Sequence, residues 1–226
     1  DEAKLQAIER RRVTGQLLAR EEESAARTER QRAAIGDRLR EARRLVILGD
    51  PGSGKTTLIR WLTTAYLLRG DPAWKEVPDV GNLPDLDLLP VIIRLRDFDS
   101  SLPSTLEELL QHALRRSQLP ISEADALQPV VLARIQSGEA LLMFDGLDEI
   151  SDPRQRAKFC EQLETIPSAY PLTWIVATSR IVGYNEMGYR LGRGFEHLTL
   201  ADLEKEEKDD FARHWCELTE LPSQRQ

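Results

Sequence analysis

Apolar residues along this chain fall into short blocks separated by longer amphipathic stretches. Residues 45–48 (Leu-Val-Ile-Leu) form an apolar run that ends in glycine. Its length and β-branching predict a buried parallel strand. Similar runs predict strands at 91–95, 140–144 and 173–177, with a fifth at 196–200. Between them, residues 56–69, 105–116, 122–136 and 153–165 read as helices. The second helix can be capped by Ser104 or Thr105 with Glu107 or Glu108 behind. The third is expected to be interrupted near Pro129, and the fourth starts with Pro153 in its first turn. Residues 70–89 carry Gly, Pro and Asp throughout and read as an irregular insertion. A charged helix is predicted over 203–220. The alternation of strand and helix specifies an α/β fold with a mostly parallel, five-stranded sheet.

Residues 1–44 follow another pattern. They are rich in Arg, Glu, Ala and Gln and contain no Pro, a composition that favours helix. The apolar positions Leu5, Ile8, Val13, Leu17, Leu18, Ile35 and Leu39 keep no clean heptad, so a charged helical linker over residues 1–42 is favoured over a coiled-coil stalk. Gly15 and Gly36 are expected to break or end helices there.

Charge narrows the choice of ligand. The net charge is −7; residues 1–44 carry +3, which leaves −10 on the remainder. An acidic body argues against nucleic acid as the main partner, because neutralising phosphates along a strand needs a basic face. Cys160 and Cys216 are the two cysteines, in helical segments with no CxxC and no His at metal spacing. They read as free thiols in a reducing compartment. No apolar run approaches the roughly 18 residues needed to cross a bilayer, and no signal-peptide pattern opens the chain. A cytoplasmic setting is expected. The chain starts at Asp1 rather than Met, as expected of a piece of a longer protein.

The strongest chemical signal follows the first strand. Gly49-Asp50-Pro51-Gly52-Ser53-Gly54-Lys55-Thr56, with Thr57 next, fits G-x-x-x-x-G-K-[ST], the Walker A pattern. A triphosphate presents several anionic oxygens close together. Successive main-chain N–H groups of a glycine loop can all face them, and the helix that follows adds free N–H groups and the positive end of its dipole. Lys55 supplies a point charge for the β- and γ-phosphates, and the Thr56 hydroxyl can bind Mg²⁺.

The third strand ends in acids, Asp145-Gly-Leu-Asp148-Glu149, as a Walker B segment does. A P-loop NTPase needs a carboxylate at a strand end beside the loop to hold the metal, and Asp145 is placed for that. Hydrolysis also needs a group to orient or deprotonate the attacking water; Glu149 is the better candidate, with Asp148 beside it. A Ras-type GTPase would need Gly where Asp148 stands, and no N-K-x-D pattern occurs, so ATP is preferred over GTP. The fourth strand ends in Thr178-Ser179-Arg180. Ligands of open α/β sheets bind beyond the carboxyl ends of strands, where Arg180 can sense a terminal phosphate. Arg94, Arg96 and Asp97 on the same edge read as packing charges.

The segments GDPGSGKTT, PVIIRLRDF, LLMFDGLDEI and ATSRIVGY, in this order, resemble a NACHT domain. NACHT domains belong to the STAND class of signalling P-loop NTPases, which includes the NOD-like immune receptors and many bacterial relatives. The similarity covers roughly residues 43–200. It implies a three-layer ASCE/AAA+-like core with an extra strand between the phosphate loop and the acidic strand, a position that the 91–95 strand is expected to fill. It implies an ATP/ADP switch whose slow Mg²⁺-dependent hydrolysis controls self-association and signalling in innate immunity. Asp145 and Thr56 then belong to Mg²⁺, Asp148 and Glu149 to hydrolysis, and Arg180 to phosphate sensing. Residues 201–226 would begin a lid, with effector, winged-helix and sensor parts lying outside this chain. Two other readings stand beside it: a nucleotide-dependent scaffold without turnover, and an ATPase associated with nucleic acid.

Overall fold

The computed structural model describes residues 32–72, 74, 79–98, 102–185, 190–192 and 194–219. The expectations for residues 1–31, including the break at Gly15 and the apolar positions up to Leu18, lie outside them. The compact unit considered below begins at Ile35.

Five strands form one sheet: β1 (Arg44–Leu48), β2 (Leu89–Arg94), β3 (Ala140–Asp145), β4 (Trp174–Ser179) and β5 (Glu196–Thr199). Their order is β2-β3-β4-β1-β5, and every neighbouring pair is parallel. Parallel neighbours require crossovers, and helices supply them. The crossover helices are α2 (Lys55–Leu67), α3 (Leu106–Arg116), α4 (Ile121–Gln136), α5 (Pro153–Ala169) and α6 (Ile181–Asn185), while α1 (Ile35–Glu41) precedes β1 and α7 (Lys205–Thr219) follows β5.

Side chains alternate across a strand, so each strand feeds two cores. On one face Val46, Leu142, Phe144, Ile175 and Ala177 pack with Leu109 and Leu110 of α3 and Phe159 and Leu163 of α5. On the other, Leu45, Ile47, Leu141, Met143 and Val176 pack with Ile59, Leu62 and Tyr66 of α2. This double burial explains why the strands read as continuous apolar runs rather than alternating ones. Each fully buried Leu or Ile contributes roughly 1.5–3 kcal/mol. Thr105 caps α3: its side chain accepts from Glu108 N–H at 3.2 Å, and Glu108 accepts from Ser104 N–H at 2.9 Å.

Three expectations need correction. The 91–95 strand precedes the acidic strand in the chain, but in the sheet β2 is an edge; β4 is the strand that lies between β1 and β3. Helix α4 is not interrupted at Pro129 but runs through it. The missing N–H orphans the Asp125 carbonyl, and both residues are exposed, where water can satisfy it. Gly36 does not end a helix either. It is buried inside α1 against the turn at Asn82, whose carbonyl a Cβ would overlap.

Because all strands run the same way, β1, β3 and β4 end on one edge of the sheet. The register pairs Leu48 with Ser179, Phe144 with Ala177 and Arg94 with Asp145. The glycine loop, the acidic turn and the polar end of β4 therefore meet.

Candidate functional site

The glycine loop leaves β1 and is tied on both sides. Gly49 N–H donates to the Ser179 carbonyl at 3.2 Å, and Leu200 N–H donates to the Leu48 carbonyl at 2.7 Å. Within the loop, Ser53 N–H donates to the Asp50 carbonyl at 3.1 Å. Gly54 opens α2 with φ +96°, a left-handed conformation that a side chain would strain. Among the described residues no side chain caps this helix start, so its first N–H groups are available to an anion.

Lys55 lies back over the loop. Its Nζ donates to the Gly49 carbonyl at 2.7 Å, the Asp50 carbonyl at 2.9 Å and the Ser53 hydroxyl at 3.4 Å. These are neutral acceptors, and phosphate oxygens are stronger partners for an ammonium. Asp50, Pro51, Gly52, Thr56 and Thr57 are exposed, while Ser53, Gly54 and Lys55 are half-buried and Gly49 is buried.

The Thr56 hydroxyl donates to Asp145 Oδ2 at 3.1 Å. The other oxygen, Oδ1, accepts from the Thr178 hydroxyl at 2.7 Å, and Thr178 in turn accepts from Gly146 N–H at 2.9 Å. Asp145 is thereby held across the sheet from two elements, with its oxygen Oδ2 turned to the start of α2. Hydroxyl and carboxylate oxygens are the donors that Mg²⁺ takes, alongside water and phosphate oxygens. Among the described residues no group of three His, Cys, Asp or Glu forms a metal cage, so an ion here depends on those further oxygens.

The turn after β3 carries the other two acids, in a 3₁₀ segment over Leu147–Glu149. Glu149 is exposed as a residue. Even so, partial burial of its carboxyl pushes its pKa above the ordinary value, helped by the Asp145 and Asp148 charges and opposed by Arg96 and Arg180. Asp148 faces the other way. Its Oδ1 accepts from Arg180 N–H at 2.8 Å, and its Oδ2 faces Arg180 Nε at 3.1 Å.

The nine loop residues, Asp145, Asp148, Glu149 and Arg180 thus gather at one sheet edge, with Asp145 joined to the loop and Asp148 joined to Arg180. Sequence reasoning assigned no part to Thr178. The available signal was a hydroxyl in a wholly buried strand, where a polar group needs a partner; which partner depended on the register of β3 and β4.

The NACHT domain family model matches residues 43–219 of the chain. No curated protein matches it.

Proposed function

The chain belongs to the NACHT domain family of nucleotide-binding NTPases, and from that premise we propose that it is an ATP/ADP switch. In this reading slow Mg²⁺-dependent hydrolysis at the Gly49–Thr57 loop sets the nucleotide state, and that state governs self-association in a signalling or defence response. The observation that carries it is the 3.1 Å contact between the Thr56 hydroxyl and Asp145, which supports a metal position between the loop and the acidic strand.

The roles follow from the chemistry of each group. Lys55 exchanges its loop carbonyls for the β- and γ-phosphates, and the N–H groups at the start of α2, from Gly54 to Thr57, hold the remaining charge. Thr56 and Asp145 would hold Mg²⁺, which when bound neutralises phosphate charge. Glu149 orients and deprotonates the attacking water; a raised pKa brings a carboxylate nearer to the working range of a general base. Arg180 distinguishes a terminal phosphate from its absence.

Calorimetric titration with ATP and ADP, with and without Mg²⁺, tests the nucleotide site. Saturable binding that Lys55→Ala weakens is expected; no binding by the unaltered chain would overturn the reading. Light scattering in ATP against ADP tests the association step, and identical particle size in both would remove it.

A further inference from the structure

Asp148 and Arg180 read from sequence as two separate functions, one hydrolytic and one sensory. In the structure they form a single unit. Asp148 Oδ1 holds the Arg180 main-chain N–H at 2.8 Å and the Ser179 hydroxyl at 3.3 Å, and Oδ2 faces Arg180 Nε at 3.1 Å. The Asp148 side chain is only 10% exposed, against 55% for Arg180. Behind it, Gly183 of α6 approaches so closely that a Cβ there would stand 2.7 Å from the Asp148 Cβ. Asp148 therefore has little room to turn toward a water at the phosphate site.

Arg180, by contrast, meets Asp148 in two ways: its main-chain N–H is hydrogen-bonded to Oδ1, and its guanidinium is held by charge, with Nε 3.1 Å from Oδ2. Among the described residues its two Nη groups make no hydrogen bond. A guanidinium gripped by one edge keeps a planar fork of N–H groups for an anion, and fixing its direction in advance lowers the ordering cost of binding.

We propose that Asp148 is a positioning residue for Arg180: by its hydrogen bond to the Arg180 main-chain N–H and its ion pair with the guanidinium it presents the Nη groups to the terminal phosphate of a nucleoside triphosphate. This rests on the nucleotide-switch reading above. It divides the two neighbouring acids, with Glu149 serving the water and Asp148 serving the arginine.

The test measures ATP and ADP affinities by calorimetry for the unaltered chain, Asp148→Asn, Arg180→Ala, the double variant and Glu149→Gln, with steady-state turnover for each. Asp148→Asn keeps the shape and loses the charge. It should lower the ATP-to-ADP affinity ratio about tenfold, the scale of one charge-assisted hydrogen bond. The double variant should then match Arg180→Ala, because the acid acts only through the arginine. Independently of nucleotide, ¹⁵N relaxation should show the Arg180 guanidinium restricted in the unaltered chain and freed in Asp148→Asn. Abolished turnover in Asp148→Asn with an unchanged affinity ratio would overturn the proposal and make Asp148 a hydrolytic acid. Additive losses in the double variant would overturn it as well. Restriction of the guanidinium that depends on Asp148 without any nucleotide binding would sink the nucleotide reading, and the purpose assigned to the pair with it.

Discussion

The phosphate loop and the acidic turn sit on the same sheet edge but are built differently. The loop is anchored at its start by Gly49 N–H on Ser179, but beyond that it is local: Lys55 reaches carbonyls five and six residues behind it, and Gly54 starts the helix by its own conformation. The acidic turn is assembled from afar. Asp145 is held by Thr56, 89 positions away, and by Thr178, 33 positions away; Asp148 is held by Arg180 at 32. The loop's internal ties lie within one segment, whereas an acidic turn hung between β3 and β4 depends on their register.

That contrast has measurable consequences. The largest belongs to Glu149→Gln, which should slow turnover by roughly 10²–10⁴-fold while ATP affinity holds; a phosphate-release assay beside calorimetry checks it, and normal turnover would refute the assignment of the base. Lys55→Ala should act in the opposite sense, weakening triphosphate binding roughly 10- to 100-fold, the scale of a lost charge-assisted contact. Equal ATP affinity in both proteins would break the division between binding loop and catalytic turn.

Thr178→Val removes a donor to Asp145 and an acceptor for Gly146 N–H at constant shape. It should cost about 1–3 kcal/mol in denaturant unfolding and reduce turnover more than nucleotide affinity. Equal reductions in both would tie the loop to the same scaffold as the turn. The smallest effect is one of pH. Because the folded pKa of Glu149 is raised, the native state holds this proton more tightly than the unfolded chain. Glu149 therefore makes stability decline slightly as pH rises from its unfolded pKa through its folded one, and the decline should be absent from the melting profile of Glu149→Gln. If Glu149 is the base, turnover should fall as pH drops through the same raised value.

The same division sets what the sequence disclosed. The glycine loop was legible as a turn from strand to helix because its pattern is written in consecutive residues. The strands were legible because each is buried on both faces, and their predicted spans overlap those of the structure. Sheet order was less so: β2 was expected between the loop and the acidic strand, yet β4 takes that place, a matter of crossover packing rather than of local pattern. Pro129 misled because proline's cost in a helix depends on whether water reaches the orphaned carbonyl. Gly36 misled because a glycine can mark a close approach as well as a stop. Thr178 and the tie between Asp148 and Arg180 needed strand register, which neighbouring residues do not encode.

The order of the strands also bears on how the protein is made. Of the five strands β1 is the first to be synthesised, yet both of its neighbours arrive late: Arg44 waits for Ile175, and Leu45 for Val176 and Glu196. Strand β2 can pair with β3 well before then. Pairings between such distant segments form slowly and leave apolar edges open meanwhile. During synthesis, β2 and β3 are therefore the first of the five strands able to pair, the glycine loop stays attached to an unpaired strand, and the candidate site comes together only when β4 and β5 have emerged.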